Sequence, residues 1–550
     1  MTRQRRVAIA ILFAALPLSV GAWIGGKASA NGPVRIAIDA GADRHAISPL
    51  IYGSSFASPE AARDLKLALD RSGGNSASLY DWRTEARGAG RDWFFESLPI
   101  AADDAAQYGA RFVVEAKAGG AEPIVTVPMT GWAATLAADG GKRAAFSVAR
   151  YGPQAAVDRA GLPDAGNGVR PDGRPITGND PHDAAHPVPI TDTRAWIRGL
   201  VARFGPAAQG GIRYYAMDNE TTRWHDIHRD VLPVGLHARE QLQRTIAYAR
   251  MVKSVDPTAR IMAPEAWGWG EYRYSGFDQQ WGDAKGYDAL PDRTSQTGGM
   301  DLLPWLLTGW RAAGFPVDVV SVHFYPQGGE FRGDGHDDVS SAMQALRNRS
   351  TRLLWDRSYR DTNWIADTVA LIPRLRDWVS TYYRAGTPVA ITEYDWGAAQ
   401  HMNGATAQAD VLGIFGREGL AMAARWMTPP TGSPAYLAMK LFRNADGRGA
   451  GFGETSVATR APDPDTVAAF GALRASDGAL TVVAINKTMA DAKAVSLTLA
   501  RFAAHGRVTG MRVIDGRLVP LPPSRFAGGT LDVQLPAQSI TLFEMHPDDR

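Results

Sequence analysis

The sequence predicts an α/β fold: a (β/α)8 TIM-like barrel with an accessory antiparallel β-sandwich domain. Short apolar runs of strand length alternate with helix-period segments through most of the 550-residue chain. Such alternation marks strands joined by crossover helices in a parallel sheet. Eight of these runs suit a closed barrel. From about residue 479 the pattern changes to short strand candidates separated by Gly, Pro and Asp, which suits a sandwich rather than more barrel.

Taken in chain order, Arg3, Arg5 and Arg6 precede an apolar run over 7–24, followed by Ala28-Ser29-Ala30. This basic, apolar and small-residue order predicts a signal peptide over 1–30 and export to the periplasm or the cell exterior. A segment alternating at period two, Val34-Arg35-Ile36-Ala37-Ile38-Asp39, follows. It fits no barrel position and is expected to join the sandwich, giving an N-terminal piece over 31–46. The barrel is expected over 47–440, with strands at 51–56, 76–80, 123–127, 212–217, 260–264, 318–324, 389–392 and 420–426. Leu242, Ile246, Ala249 and Val252 show the helical spacing expected between strands. Residues 139–192, rich in Gly, Pro, Asp and Ala, predict a long excursion on the loop side of the third strand. The sandwich is expected over 441–550.

Composition narrows the function classes. Lys+Arg 59 against Asp+Glu 57 favours neither nucleic acid nor an anionic membrane surface as partner. Cys 0 rules out thiol catalysis, disulfides and a lipidated cysteine. With 45% apolar residues, a core can carry the stability alone.

Two glutamates stand just past apolar runs, where strand gives way to loop: Glu220 in Tyr214-Tyr215-Ala216-Met217-Asp218-Asn219-Glu220, and Glu393 in Val389-Ala390-Ile391-Thr392-Glu393-Tyr394. In a parallel barrel, strand C-terminal ends form the active-site face. These two follow the fourth and seventh predicted strands, so they face each other across the mouth. A carboxylic acid and a carboxylate so placed suit cleavage of a glycosidic bond. Either glutamate alone reads equally well as a helix cap or surface carboxylate.

Sixteen tryptophans are present, many near predicted strand ends or loops, including Trp82, Trp355, Trp364, Trp396 and Trp426. An indole face can cover the C–H face of a sugar. As a population they fit a polysaccharide groove, although any one of them is as readily a core anchor. His323 and Tyr325 end the sixth strand, and a tyrosine beside a nucleophilic carboxylate can hold its geometry. His225 and His228 form a weak metal pattern without a third ligand. Gly73-Gly74 lacks the context of a phosphate loop.

The chain resembles glycoside hydrolase family 44, the endoglucanase and xyloglucanase type. The likeness rests on Ile47-Ser48-Pro49-Leu50-Ile51-Tyr52-Gly53, Gly73-Gly74-Asn75, Tyr80-Asp81-Trp82, Ala89-Gly90-Arg91-Asp92-Trp93, residues 214–220, Leu354-Trp355-Asp356 and residues 364–414. The resemblance implies a barrel with a β-sandwich and retaining, internal cleavage of β-1,4-glucans. It matches Glu220 to the acid/base, Glu393 to the nucleophile and Asn219 to the sugar contact beside the acid, and Asn75 is a further candidate for substrate binding. It places Trp82, Trp355 and Trp426 along the cleft. The expected partner is a β-linked polysaccharide met by a monomer, with no cofactor required, no nucleic acid, and no membrane after signal cleavage. Two departures stand out: Thr221 where the family usually has Pro, and Arg83 where it usually has Glu. Some members hold a structural calcium, and Arg83 removes a carboxylate from that region. Xylan, mannan and arabinose-containing chains remain alternative substrates, and a silent glucan-binding protein remains an alternative class.

Overall fold

The computed structural model describes residues 32–101, 107–333, 335–502 and 505–547. The signal peptide expected over 1–30 lies outside them. Among the described residues no helix is long and apolar enough to cross a membrane.

Eight parallel strands close a barrel: Gly53–Ser55, Leu69–Arg71, Glu122–Val127, Tyr214–Met217, Arg260–Ala266, Val319–Phe324, Val389–Tyr394 and Met422–Arg425. The second differs from expectation. Residues 76–80 fall mostly in a 3-10 helix, Asn75–Leu79, and the strand lies upstream at Leu69–Arg71. A three-residue strand containing Asp70 and Arg71 offers no apolar run to find, and its charge has a structural purpose described below. Long helices cover the barrel, such as Ala238–Val255, whose Thr245, Tyr248, Ala249 and Val252 are buried.

The interior of the barrel has two layers. Leu69, Ile124, Tyr214, Ala216, Met262, Val319, Ala390 and Met422 form an apolar floor. Two residues further along their strands, on the same face by pleat alternation, stand Arg71, Thr126, Asp218, Ser321 and Thr392, all buried. The barrel is therefore oily at its base and polar at its mouth.

The other sheet has eleven strands and curls on itself. Val34–Asp39 runs parallel to Lys493–Ala500 and antiparallel to Thr455–Arg460, so the N-terminal segment stitches the sheet together. Leu480–Asn486 is buried on both faces because it serves two cores. Val482 and Ala484 pack inside the sheet, whereas Val483 and Ile485 join the barrel's cluster. The sheet docks on helix Met402–Arg417, where a Cβ at Gly413 would lie 2.2 Å from the Phe470 ring. A buried ion pair, Lys487 to Asp410 at 2.6 Å, crosses the junction.

Two strand pairings help to pin the 139–192 excursion. Arg143–Ala144 pairs with Glu96–Pro99, and Ala185–Pro187 pairs with Trp132–Ala134.

Candidate active site

Besides Asp218, three carboxylates reach the mouth, and backbone irregularity aims each of these three. Glu220 follows the fourth strand with φ 46° and caps the 3-10 helix Thr221–Arg223. Glu265 ends the fifth strand with φ 56°, where the register slips between Pro264 and Ala266. Simple alternation from the inward Met262 would turn Glu265 outward, and the bulge turns it in. On the seventh strand the ladder pairs His323 with Glu393 and skips Thr392, so Thr392 and Glu393 both face the interior. Left-handed φ at a non-glycine residue costs energy and tends to collect where side chains must be aimed.

Arg71 and His323 bind these carboxylates together. Arg71 Nη1 donates to Glu393 Oε1 at 2.5 Å, and its Nη2 donates to Glu265 Oε2 at 3.1 Å and to Asn219 Oδ1 at 3.0 Å. His323 Nδ1 lies 2.9 Å from Glu220 Oε1 and 3.4 Å from Glu393 Oε2, while Nε2 lies 3.3 Å from Glu265 Oε2. The Tyr325 hydroxyl donates to Glu393 Oε2 at 2.9 Å. Glu220, His323 and Glu393 each present an atom within 4.8 Å of the other two. Glu220 is 17% exposed in its side chain, against 5% for Glu393 and none for Glu265. A ligand therefore meets Glu220 and Glu393 and never Glu265.

Burial alone would raise the Glu265 carboxyl, but the Arg71 charge and the His323 hydrogen bond hold it down to about 2. Burial works against the His323 imidazolium too, yet Glu393, Glu220 and Glu265 together lift it to about 9. Burial, with the charges of Glu393 and Glu220, lifts the Tyr325 hydroxyl well above its ordinary value, so it stays a donor. Behind Glu220, buried Glu271 is pushed up to about 7 by desolvation while accepting the Trp267 amide at 2.8 Å. These are opposing shifts on groups sharing one site, the pattern that sets acid and base roles apart.

The loop after the second strand completes the wall. A Cβ at Gly73 would lie 2.2 Å from Arg71 Nη1, and one at Gly74 (φ 72°) would lie 2.5 Å from the Trp426 ring. The two glycines let backbone pass over the guanidinium and under the indole. The Gly74 amide donates to Asn219 Oδ1 at 3.2 Å, and Asn219 Nδ2 donates to Asn75 Oδ1 at 3.2 Å. Asn75 in turn donates to Asp92 at 2.8 Å. Asn75, Asn219 and Trp426 thus stand together beside the carboxylates.

Beyond the mouth lies a groove of about 970 Å³ whose lining includes Arg223, Trp267, Trp269, Tyr274, Tyr287 and Trp364. Trp364 is 58% exposed there. The remaining tryptophan expectations need correction. Trp396 is 2% exposed; its Nε1 donates to Ser350 and its ring packs on Phe324 and Tyr394. It is core, because the seventh strand leaves the barrel mouth beneath it. Trp355 lines a separate cavity of about 550 Å³ with His45, Ser456 and Phe470, between barrel and sandwich, under the Arg417 guanidinium at 4.2 Å. Trp82 lines a small recess with Trp132, Trp196 and Tyr248, and the Arg83 guanidinium covers its ring at 4.5 Å. His225 and His228 do not form a metal pair. His228 Nε2 meets the Asn75 carbonyl at 2.9 Å, and burial pushes its ring down to about 4, whereas His225 faces the groove. Arg83 pairs with Asp192 at 3.4 Å. A guanidinium in that place repels a divalent cation, so the residues there do not fit a calcium.

Sequence reasoning missed Arg71 and Glu265. Glu265 had a usable signal: like Glu220 and Glu393, it stands just past an apolar run, in Met262-Ala263-Pro264-Glu265. Arg71 had none, since its strand is too short to register.

Comparisons with known proteins show the family. Residues 86–328 match the family model of glycoside hydrolase family 44. Endoglucanase A of Paenibacillus lautus is 30% identical over 524 residues, covering 89% of this chain and 69% of that protein. The chain belongs to glycoside hydrolase family 44. As a family 44 protein it is a glycoside hydrolase. Its fold is similar to that of CelM2, a bifunctional glucanase-xylanase from a metagenome library, at 47% identity and TM-score 0.91, covering 94% of this chain and 100% of that one. A Paenibacillus polymyxa xyloglucanase of the same family is 25% identical with TM-score 0.76, covering 94% and 99%.

Proposed function

We propose that this glycoside hydrolase cuts β-1,4-glucan backbones, cellulose-type glucan or xyloglucan, internally and with retention, Glu220 serving as acid/base and Glu393 as nucleophile. The observation that carries the reading is the approach of the two carboxylates, one oxygen of each within 4.8 Å. Retaining enzymes hold the pair about 5–5.5 Å apart, whereas inverting ones leave about 6.5–9.5 Å for a water. An approach this close supports the retaining arrangement.

Protonated Glu220 gives its proton to the departing glycosidic oxygen while a Glu393 oxygen bonds to the anomeric carbon. The product is a covalent glycosyl-enzyme and a free sugar hydroxyl. Glu220, now a carboxylate, takes a proton from water, whose oxygen bonds to the anomeric carbon and displaces Glu393. Arg71 and Tyr325 hold Glu393 in attacking position. Asn219 and Asn75 present amides to the sugar beside the acid. The aromatic groove, Trp364 above all, supplies stacking faces for further sugars of an extended chain. The reading takes 1–30 as an export signal, 47–440 as the catalytic unit and 441–550, joined by 31–46, as the accessory sheet of a monomer acting outside the cytoplasm.

A second reading, xylan as an additional substrate, is favoured by the 47% identity to a bifunctional glucanase-xylanase. A silent binding protein is disfavoured, since recognition alone does not need a buried Arg–Tyr clamp on one carboxylate. Glu393→Gln decides between enzyme and binder. It is expected to abolish reducing-sugar release from carboxymethyl-cellulose and xyloglucan while polymer binding persists; near-normal turnover would refute the nucleophile assignment. Wild-type assays on xylan and mannan settle the substrate.

A further inference from the structure

Of the three carboxylates that Arg71 and His323 bind together, Glu265 is the one for which the mechanism has no direct use. It is fully buried and touches no substrate, yet four side chains converge on it. Arg71, His323 and Thr392 approach Oε2 at 3.1, 3.3 and 2.8 Å, and the Ser321 hydroxyl donates to Oε1. Its own carbonyl accepts the Glu220 amide at 3.0 Å. Arg71 Nη2 and His323 Nε2 stand only 3.2 Å apart. Two cations at that distance in a low-dielectric interior repel strongly unless an anion lies between them. Glu265 Oε2 is that anion.

We infer that Glu265 is a positioning residue for the reaction, acting through Arg71 on Glu393 and through His323 on both Glu220 and Glu393. This rests on the roles proposed above for Glu220 and Glu393. Glu265 adds its hydrogen bond to the larger pull of Glu393 and of Glu220 on the His323 proton, and its place on the Nε2 side leaves Nδ1 facing the gap between the two working carboxylates. Without the Glu265 charge, the repulsion from Arg71 is less offset, and the ring loses both part of its hold on the proton and its anchor at Nε2. The charged and titratable groups facing His323 are Arg71 from the second strand, Glu220 after the fourth, Glu265 on the fifth and Glu393 on the seventh. Three further groups are close, and the first, buried Glu271, interacts with the His323 charge. The Tyr272 hydroxyl donates to the His323 carbonyl, and Tyr325 lies two residues on, bound to Glu393. Both tyrosines stay neutral, well above their ordinary values through burial, so Glu265 is the anion that the catalytic cycle never alters.

The test is a proton titration of the His323 imidazole by NMR with ring-labelled histidine, assigned by loss of its signal in His323→Asn, together with kcat and KM against pH. In the wild type the ring is expected to stay protonated to about 9. In Glu265→Gln the midpoint should fall clearly below that of the wild type. There kcat should fall roughly 10–100-fold, the usual cost of removing an outer-shell partner, with KM within about threefold. Glu265→Asp, which keeps the charge, should keep the alkaline titration and recover part of kcat. A purely structural role would lower stability without moving the titration. If Glu265→Gln does not fold, the wild-type titration decides alone, since a midpoint near 6.5 overturns the inference. A wild-type pH profile in Glu265→Gln overturns it too. Activity surviving in Glu393→Gln refutes the functional reading instead, so the two failures are distinguishable.

Discussion

The floor and the mouth of the barrel are built on the same strands, one pleat apart, and solve burial in opposite ways. On the floor, Leu69, Met262, Val319 and Ala390 exclude water with apolar surface. At the mouth, Arg71, Glu265, His323 and Thr392 are as deeply buried, but each is matched to a partner of opposite charge or complementary donor. The floor stabilises by area, and any shape of similar volume can serve it. The mouth gains little net stability from its ion pairs, because desolvation offsets attraction. It gains fixed geometry and fixed protonation, which chemistry needs and stability does not.

The sharpest way to break this contrast is to compare Leu69 with Arg71 on one short strand. Arg71→Met should remove nearly all activity and destabilise by about 3–5 kcal/mol, since it leaves Glu265 and Glu393 buried without their cation. Urea unfolding and reducing-sugar assays would measure both. Leu69→Ala should destabilise by about 2–5 kcal/mol, a cavity cost, while kcat stays within about threefold. If Arg71→Met keeps activity, the mouth is merely another packing layer.

A smaller effect separates the tryptophans in the same manner. Trp364→Ala should raise KM for polymer up to roughly tenfold, the worth of one stacking contact, with kcat unchanged. Trp355→Ala should leave KM alone and lower the melting temperature, because it sits between barrel and sheet. Initial rates over a range of xyloglucan concentrations distinguish the two.

The smallest effect is in the pH dependence of stability. Glu265 is depressed from 4.5 to about 2, so its contribution is present above 4.5 and lost as pH falls through about 2. His323 is raised from 6.5 to about 9, so its contribution is complete below 6.5 and lost as pH rises through about 9. The network should therefore stabilise most between pH 4.5 and 6.5. Relative to wild type, the melting temperature of Glu265→Gln should fall furthest in that window, less above pH 9, and least as pH approaches 2.

Much of this was legible in the sequence. Seven of the eight barrel strands left apolar runs, and the same runs located Glu220, Glu393, His323 and Tyr325 at their ends. The second strand was not legible because its inward residue is a cation, and hydropathy treats an arginine as loop. The tryptophans were legible only as a population. Trp364 and Trp396 have similar loop-like surroundings in sequence, yet one is 58% exposed and the other 2%.

By itself the sequence determined the strand–helix alternation, the change of rhythm that marks the second sheet, and the two glutamates at strand ends. Those are local properties, set by which face of each segment shuns water. Only the tertiary structure decided that Arg71 meets Glu393 across 322 residues, that a bulge turns Glu265 inward, and which indoles face the groove. The reason is physical. A buried charge is tolerated only through its partner, and partners are chosen by closure of the barrel, not by neighbours along the chain.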